Sequence, residues 1–199
     1  MDVRAALARH RMTRAFDGTE VDAARLAGLC EDALRAPTAG HARGVTMAVL
    51  AGRPGVHRYL AAATDAAWRA SSPRADGLAL AGGCALVVCD PEAYASRYAD
   101  DDKVASGLGD LDRWPVPYWF GDAAFATMAL LLLAEADGLA SAFLGAFRNE
   151  AALLELAGAQ GQRLFGAVLV GHAAEDQVRS RSLDRPGPTR ASRVRRISG

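Results

Sequence analysis

Lysine is almost absent: among 23 basic residues only Lys103 is not arginine, so an arginine at any one position carries less information than usual. An excess of either charge is missing too. The 23 acidic residues balance the 23 basic ones, which argues against a chain devoted to coating nucleic acid or anionic membrane. Cysteine is scarce: Cys30, Cys84 and Cys89 sit in apolar runs without Cys-x-x-Cys spacing, the pattern of buried reduced thiols rather than of a disulfide, metal site or nucleophile. No strand-like run is followed by Gly-x-Gly-x-x-Gly, which disfavours a dinucleotide fold. The adjacent carboxylates Asp100, Asp101 and Asp102 lack the alternating spacing and distal Glu of a calcium loop and read as a solvated loop. Met1-Asp2-Val3-Arg4 opens no signal-peptide core and no stretch reads as a bilayer span, so a cytoplasmic location without membrane partner is expected. No repeat or linker interrupts the chain. A single domain over residues 1–199 is expected, its end from about residue 186 an extended arginine-rich tail.

What the chain does have is one stretch that is apolar on every face. From Ala123 to Ala134 only Thr127 breaks the run, and a helix with no wet side must be buried all round. Its length is roughly half the ~20 residues of a membrane span, so protein is the expected cover, and a second copy of the chain is expected to share in it. Asp122 is placed to cap the helix and Gly138 to end it with a left-handed residue. Ala140 to Leu144 then reads as a short buried strand, and Gly145-Ala146-Phe147 as a turn where backbone could approach a ligand closely.

Around this stretch, helices are expected from Val3 to His10, from Asp22 to before Pro37, from Val56 to about Ala70, from Pro91 to about Tyr98, and after Asn149 as cap. Strands are expected at Val45–Ala51, Ala85–Cys89 and Phe165–Val170. Arg11 and Arg14 lie three apart beside Phe16, either as a solvated helix end or as a cation pair with a purpose. Pro37-Thr38-Ala39-Gly40-His41 is a loop of small residues that could wrap a planar ligand or be an ordinary turn. Trp114, Tyr118, Trp119 and Phe120 make a connector that either lines a pocket or packs on the central helix. Helices outnumber strands and are not one per crossover, which predicts an α+β domain with a mixed sheet of four or five strands.

Four segments in this order resemble the flavin-dependent nitroreductase family: Arg11-Met12-Thr13-Arg14-Ala15-Phe16, Ala36-Pro37-Thr38-Ala39-Gly40, Gly138-Leu139 with Leu144-Gly145-Ala146-Phe147, and Arg179-Ser180-Arg181 followed by Leu183. The resemblance spans about residues 3 to 185. It implies an α/β sandwich forming an intertwined homodimer, with the long apolar helix in the interface and FMN bound by both subunits. His10, Arg11, Met12 and Arg14 would then come from the first motif and Arg179 and Arg181 from the tail, a fitting set because arginine forks pair with phosphate oxygens. Arg14 would lie nearer the pyrimidine edge of the flavin. Pro37, Thr38, Ala39 and Gly40 would lie against the flavin of the other subunit, and the backbone at Gly145 and Ala146 would approach its hydride-accepting nitrogen. Met12 stands where the family usually has serine, and His41, Arg43 and Val45 replace its usual Asn, Gln and Trp. The third helix shows no clear counterpart of the amide that commonly contacts the flavin.

The activity implied is an FMN-dependent oxidoreductase: ping-pong hydride transfer from NAD(P)H to a nitroaromatic, quinone or similar electron-poor small molecule, with no catalytic acid or base required of the protein. His41, Trp114, Tyr118, Trp119 and Phe120 are the expected acceptor pocket. Two other readings stay open, a biosynthetic FMN-dependent dehydrogenase or oxidase using oxygen, and a flavin-poor binding or storage protein of the same fold.

Overall fold

The computed structural model describes residues 1–177 and 184–197. Its centre is β2 (Gly83–Cys89), flanked by β1 (Val45–Ala51) and β4 (Arg163–Gly171), with β3 (Ala140–Gly145) at the far edge, giving the order β1-β2-β4-β3. Every residue of β2 is buried because helices cover both faces of the sheet. On one face Cys84, Leu86 and Val88 pack with Val56, Leu60 and Leu153. On the other, Ala85, Val87 and Cys89 pack with Leu26, Ala126 and Leu130. Burial raises the Cys30 thiol to about 11 and the Cys89 thiol to about 12, and all three cysteines are free and buried.

The α+β architecture with four strands is as expected, but the sheet is not mixed: all three strand pairings are antiparallel. An unbroken apolar strand suggests parallel neighbours, yet a central antiparallel strand between two helical layers needs the same composition. Among the described residues the one parallel pairing is the isolated bridge from Met12 to Ser141.

The helices are α1 (Val3–Arg9), α2 (Ala23–Ala33), α3 (Gly52–Ala63), α4 (Ala66–Ser71), α5 (Ala75–Ala79), α6 (Pro91–Ala99), α7 (Tyr118–Ala136) and α8 (Glu150–Ala157). Three boundaries differ from those expected. The helix from Val56 to Ala70 is two, because Thr64 is extended and Asp65 starts a second helix by accepting the Trp68 N–H at 2.7 Å. Asn149 sits at the α8 N-cap with φ 56° but its amide donates to the Ala62 carbonyl instead of capping. The central helix starts earlier, at Tyr118 after Pro117, so Asp122 lies inside it and is not its cap. Gly138, at φ 76°, does end it, and Leu139 N–H returns to the Ala134 carbonyl at 2.8 Å.

With 19 residues, α7 is long and apolar enough to cross a membrane by length and composition, contrary to the shorter helix expected. Its buried side, which includes Ala123, Ala126, Leu130 and Ala134, packs on α2 and the sheet. The opposite side is open: Phe125 is 56% and Met128 37% exposed. One chain therefore buries only half of a helix that has no polar face.

Candidate functional site

Residues 10–16 leave α1 and run along the edge of the sheet. Thr13 N–H donates to the Ser141 carbonyl at 2.9 Å, and Phe16 N–H donates to Gly77 in α5 at 3.0 Å. Gln177 clasps this segment from the other end of the chain, its Oε1 accepting the Arg14 N–H at 3.0 Å and its Nε2 donating to the Ala15 carbonyl at 2.6 Å. Among the described residues the two guanidinium groups are bonded only to backbone carbonyls: Arg11 to those of Ala8 and His10, each at 2.8 Å, and of Arg9 at 3.3 Å, and Arg14 to that of Met12 at 3.2 Å. Arg11 thus occupies the helix-end position that was one of its two readings. No carboxylate among the described residues pairs with either arginine. Beside them, His10 Nε2 is buried without a partner, and burial lowers the imidazole's basicity. Met12 is turned back on the sheet, its sulfur accepting the Phe143 N–H at 3.4 Å. Arg179 and Arg181 lie outside the described residues.

The same edge strand leads to Gly145 and Ala146, which border a cavity of about 410 Å³ walled by Tyr59, Leu60, Trp68 and Leu153. Gly145 pairs across the ladder with Gly166, so that end of the sheet is bare backbone on both strands. Gly166 and the cavity walls were not foreseen. The available signal for Gly166 was a glycine inside a strand, which marks close backbone approach.

A second cavity, of about 450 Å³, is bordered by Pro37, Thr38, His41, Arg43 and Asp122. Here the loop makes a short 3₁₀ turn over Ala39–His41, with left-handed backbone at Gly40, His41 and Arg43. Arg43 Nε donates to His41 Nε2 at 2.9 Å, which fixes that nitrogen as an acceptor. Neither cavity contains residues of both sets, so one chain does not bring Pro37–Gly40 together with Gly145 and Ala146. The connector aromatics Trp114, Tyr118, Trp119 and Phe120 line neither of these two cavities. Trp114 is buried and meets Tyr94, Tyr98, Tyr118 and Trp119 edge to face, and Phe120 leans on Phe165.

The nitroreductase family pattern matches residues 7–172. This chain belongs to the nitroreductase family. Solved structures agree on the fold. A nitroreductase family protein of Streptococcus pneumoniae TIGR4 superposes with a TM-score of 0.74 at 14% identity, covering 98% of this chain and 100% of that one. An FMN-dependent nitroreductase of Clostridium difficile R20291 gives 0.67 at 16% identity over 99% and 100% of the two chains. A nitroreductase-type protein of Exiguobacterium sibiricum 255-15, solved with FMN, gives 0.67 at 15% identity over 95% and 98%. At such identities the likeness speaks for fold alone. No curated protein matches the chain by sequence.

Proposed function

We propose that this nitroreductase-family chain is an FMN-dependent oxidoreductase that takes electrons from NAD(P)H and passes them to a small electron-poor acceptor. The observation that carries this reading is the continuity of one sheet edge: guanidinium groups that pair with no carboxylate among the described residues beside its start, and bare glycine backbone opening on an apolar cavity at its end. The residues present fit the cofactor. Arg11, with Arg179 and Arg181 outside the described residues, would hold its phosphate, Arg14 would lie nearer the pyrimidine edge, and His10 Nε2 is a buried polar atom without a partner among the described residues. When bound, FMN supplies hydride acceptance and donation in two half-reactions. The chain's part is to hold the phosphate, keep side chains away at Gly145 and exclude water with apolar walls.

The open face of α7 supports a homodimer. Phe125, Met128 and the half-buried Leu132 recur at helical spacing, and a second copy would cover them. A dimer would also give the Pro37–Gly40 loop a flavin to contact on the partner, since among the described residues its cavity shares no lining residue with that of Gly145 and Ala146. A flavin-poor binding protein is the second reading, favoured by one observation: Arg11 is already engaged by the carbonyls that end α1.

The test is the visible spectrum of purified protein before and after adding FMN, with the heat-released chromophore identified, followed by NAD(P)H oxidation against quinone and nitroaromatic acceptors. Stoichiometric FMN with acceptor-dependent NAD(P)H oxidation is expected. A folded protein that takes up no added FMN would overturn the enzyme reading in favour of the second.

A further inference from the structure

Asp122 is a carboxylate inside the most apolar helix of the chain, and it is 3% exposed. Burying such a group is unfavourable unless donors surround it. Both donors found converge on Oδ2: the Tyr94 hydroxyl from α6 at 2.8 Å and the Ala39 N–H from the 37–41 loop at 2.7 Å. The Tyr94 phenol is held neutral, first by burial and then by this bond. Asp122 does not cap α7, whose N-cap is Pro117, and of its two donors one is a side chain from α6 and the other is the backbone of the loop.

The next residue of the loop is gripped from the other side. Arg97 Nε donates to the Gly40 carbonyl at 2.9 Å. Its other two nitrogens fork onto Asp102 at 2.7 and 2.8 Å, with Asp100 at 3.1 Å from one of them, so the guanidinium is fixed in plane. Under Gly40 lies the Tyr98 ring, so close that a Cβ on Gly40 would stand 2.6 Å from it. The aspartate run thus has a task in this arrangement: Asp100 and Asp102 hold Arg97, and Arg97 holds Gly40. Amide of Ala39 and carbonyl of Gly40 are each tied to a charged side chain, and between them the backbone is left-handed at φ 60°.

We infer that Asp122 and Arg97 are positioning residues that clamp the Ala39–Gly40 turn from opposite sides and present its outer surface for flavin contact. The flavin part rests on the function proposed above; the clamp itself does not.

The experiment pairs two readouts on the full-length protein: amide hydrogen exchange at Ala39 and Gly40, measured without flavin, and FMN affinity. Asp122→Leu should speed Ala39 exchange by at least about tenfold and weaken FMN binding about thirtyfold or more, while Asp122→Asn, which keeps an acceptor, should stay within about threefold on both. Arg97→Met, at a more accessible position, should weaken FMN binding about tenfold with circular dichroism and unfolding midpoint close to wild type. Wild-type exchange and affinity in a folded Asp122→Leu would overturn the clamp. Faster exchange with unchanged FMN affinity would overturn its role toward flavin. A wild type that takes up no FMN, with Ala39 still responding to Asp122→Leu, would sink the FMN reading and leave the clamp supported.

Discussion

Gly145 and Gly166 face each other across the end of the β3–β4 ladder, and they are glycine for different reasons. A Cβ on Gly166 would lie 2.5 Å from the Phe143 ring and 2.7 Å from the Leu144 carbonyl, inside the sheet where neither can move far. Gly166→Ala should therefore destabilise the fold by about 1–3 kcal/mol in urea unfolding. At Gly145 the nearest atom is the Phe147 ring at 3.0 Å, and Phe147 is 92% exposed and free to yield. Gly145→Ala should cost less than about 0.5 kcal/mol, as surface substitutions do, yet lower FMN affinity or NAD(P)H oxidation by at least about tenfold. Equal stability losses for the two would contradict this division of roles.

If Arg11, Arg179 and Arg181 hold a phosphate, removing all three should abolish the preference for FMN over riboflavin. The wild type is expected to bind FMN more tightly than riboflavin, since charge-assisted bonds to phosphate contribute about 1.5–3 kcal/mol each. In the Arg11→Ala, Arg179→Ala, Arg181→Ala triple variant the two flavins should bind alike, by fluorescence titration. A triple variant that still prefers FMN would move the phosphate elsewhere.

The sheet was readable from the chain because its signals are local. β1 has the bounds that Val45–Ala51 predicts, and the continuous run through Val87 and Val88 announced burial on both faces. Strand direction was not, because antiparallel and parallel central strands share one composition. Asp122 was misplaced for a related reason: an acidic residue before an apolar run looks like a cap. Its actual partners, Tyr94 and Ala39, lie 28 and 83 residues away, and no spacing rule connects them. Likewise Trp114 and Trp119 looked as fit for a pocket as for packing, and their contacts with Tyr94 and Tyr98 in α6 are not written in any local spacing. The order of the candidate segments along the chain was legible, whereas their placement at two separate cavities depends on tertiary contacts alone.

The uncovered side of α7 makes a prediction about assembly. Phe125→Glu places a charge at the centre of the exposed apolar stripe, where a dimer would have to bury it. Light scattering should show a dimer for wild type and a monomer for the variant, with FMN retention falling in parallel. A wild type that stays monomeric at micromolar concentration would remove the second chain from the site.

Glu150 gives a prediction with a sign in pH. Its Oε1 accepts from Arg163 Nε at 2.9 Å and from the Leu164 N–H at 3.0 Å, and these bonds, Arg163 first, hold its pKa below the ordinary glutamate value. A depressed folded-state pKa means that the stabilisation is present above the unfolded value, about 4.3, and is lost as pH falls through the folded one. The pair is partly solvated, with side-chain exposures of 53% for Arg163 and 38% for Glu150, so screening reduces its contribution to about 0.2–1 kcal/mol. Glu150→Gln keeps an acceptor but not the charge. Urea unfolding at about pH 7 should show the variant less stable by that amount, and once pH has fallen below the folded-state pKa of Glu150, where residue 150 is neutral in wild type and variant alike, the difference should vanish. A difference that persisted unchanged at low pH would mean that packing at the start of α8, rather than the charge on Glu150, is responsible.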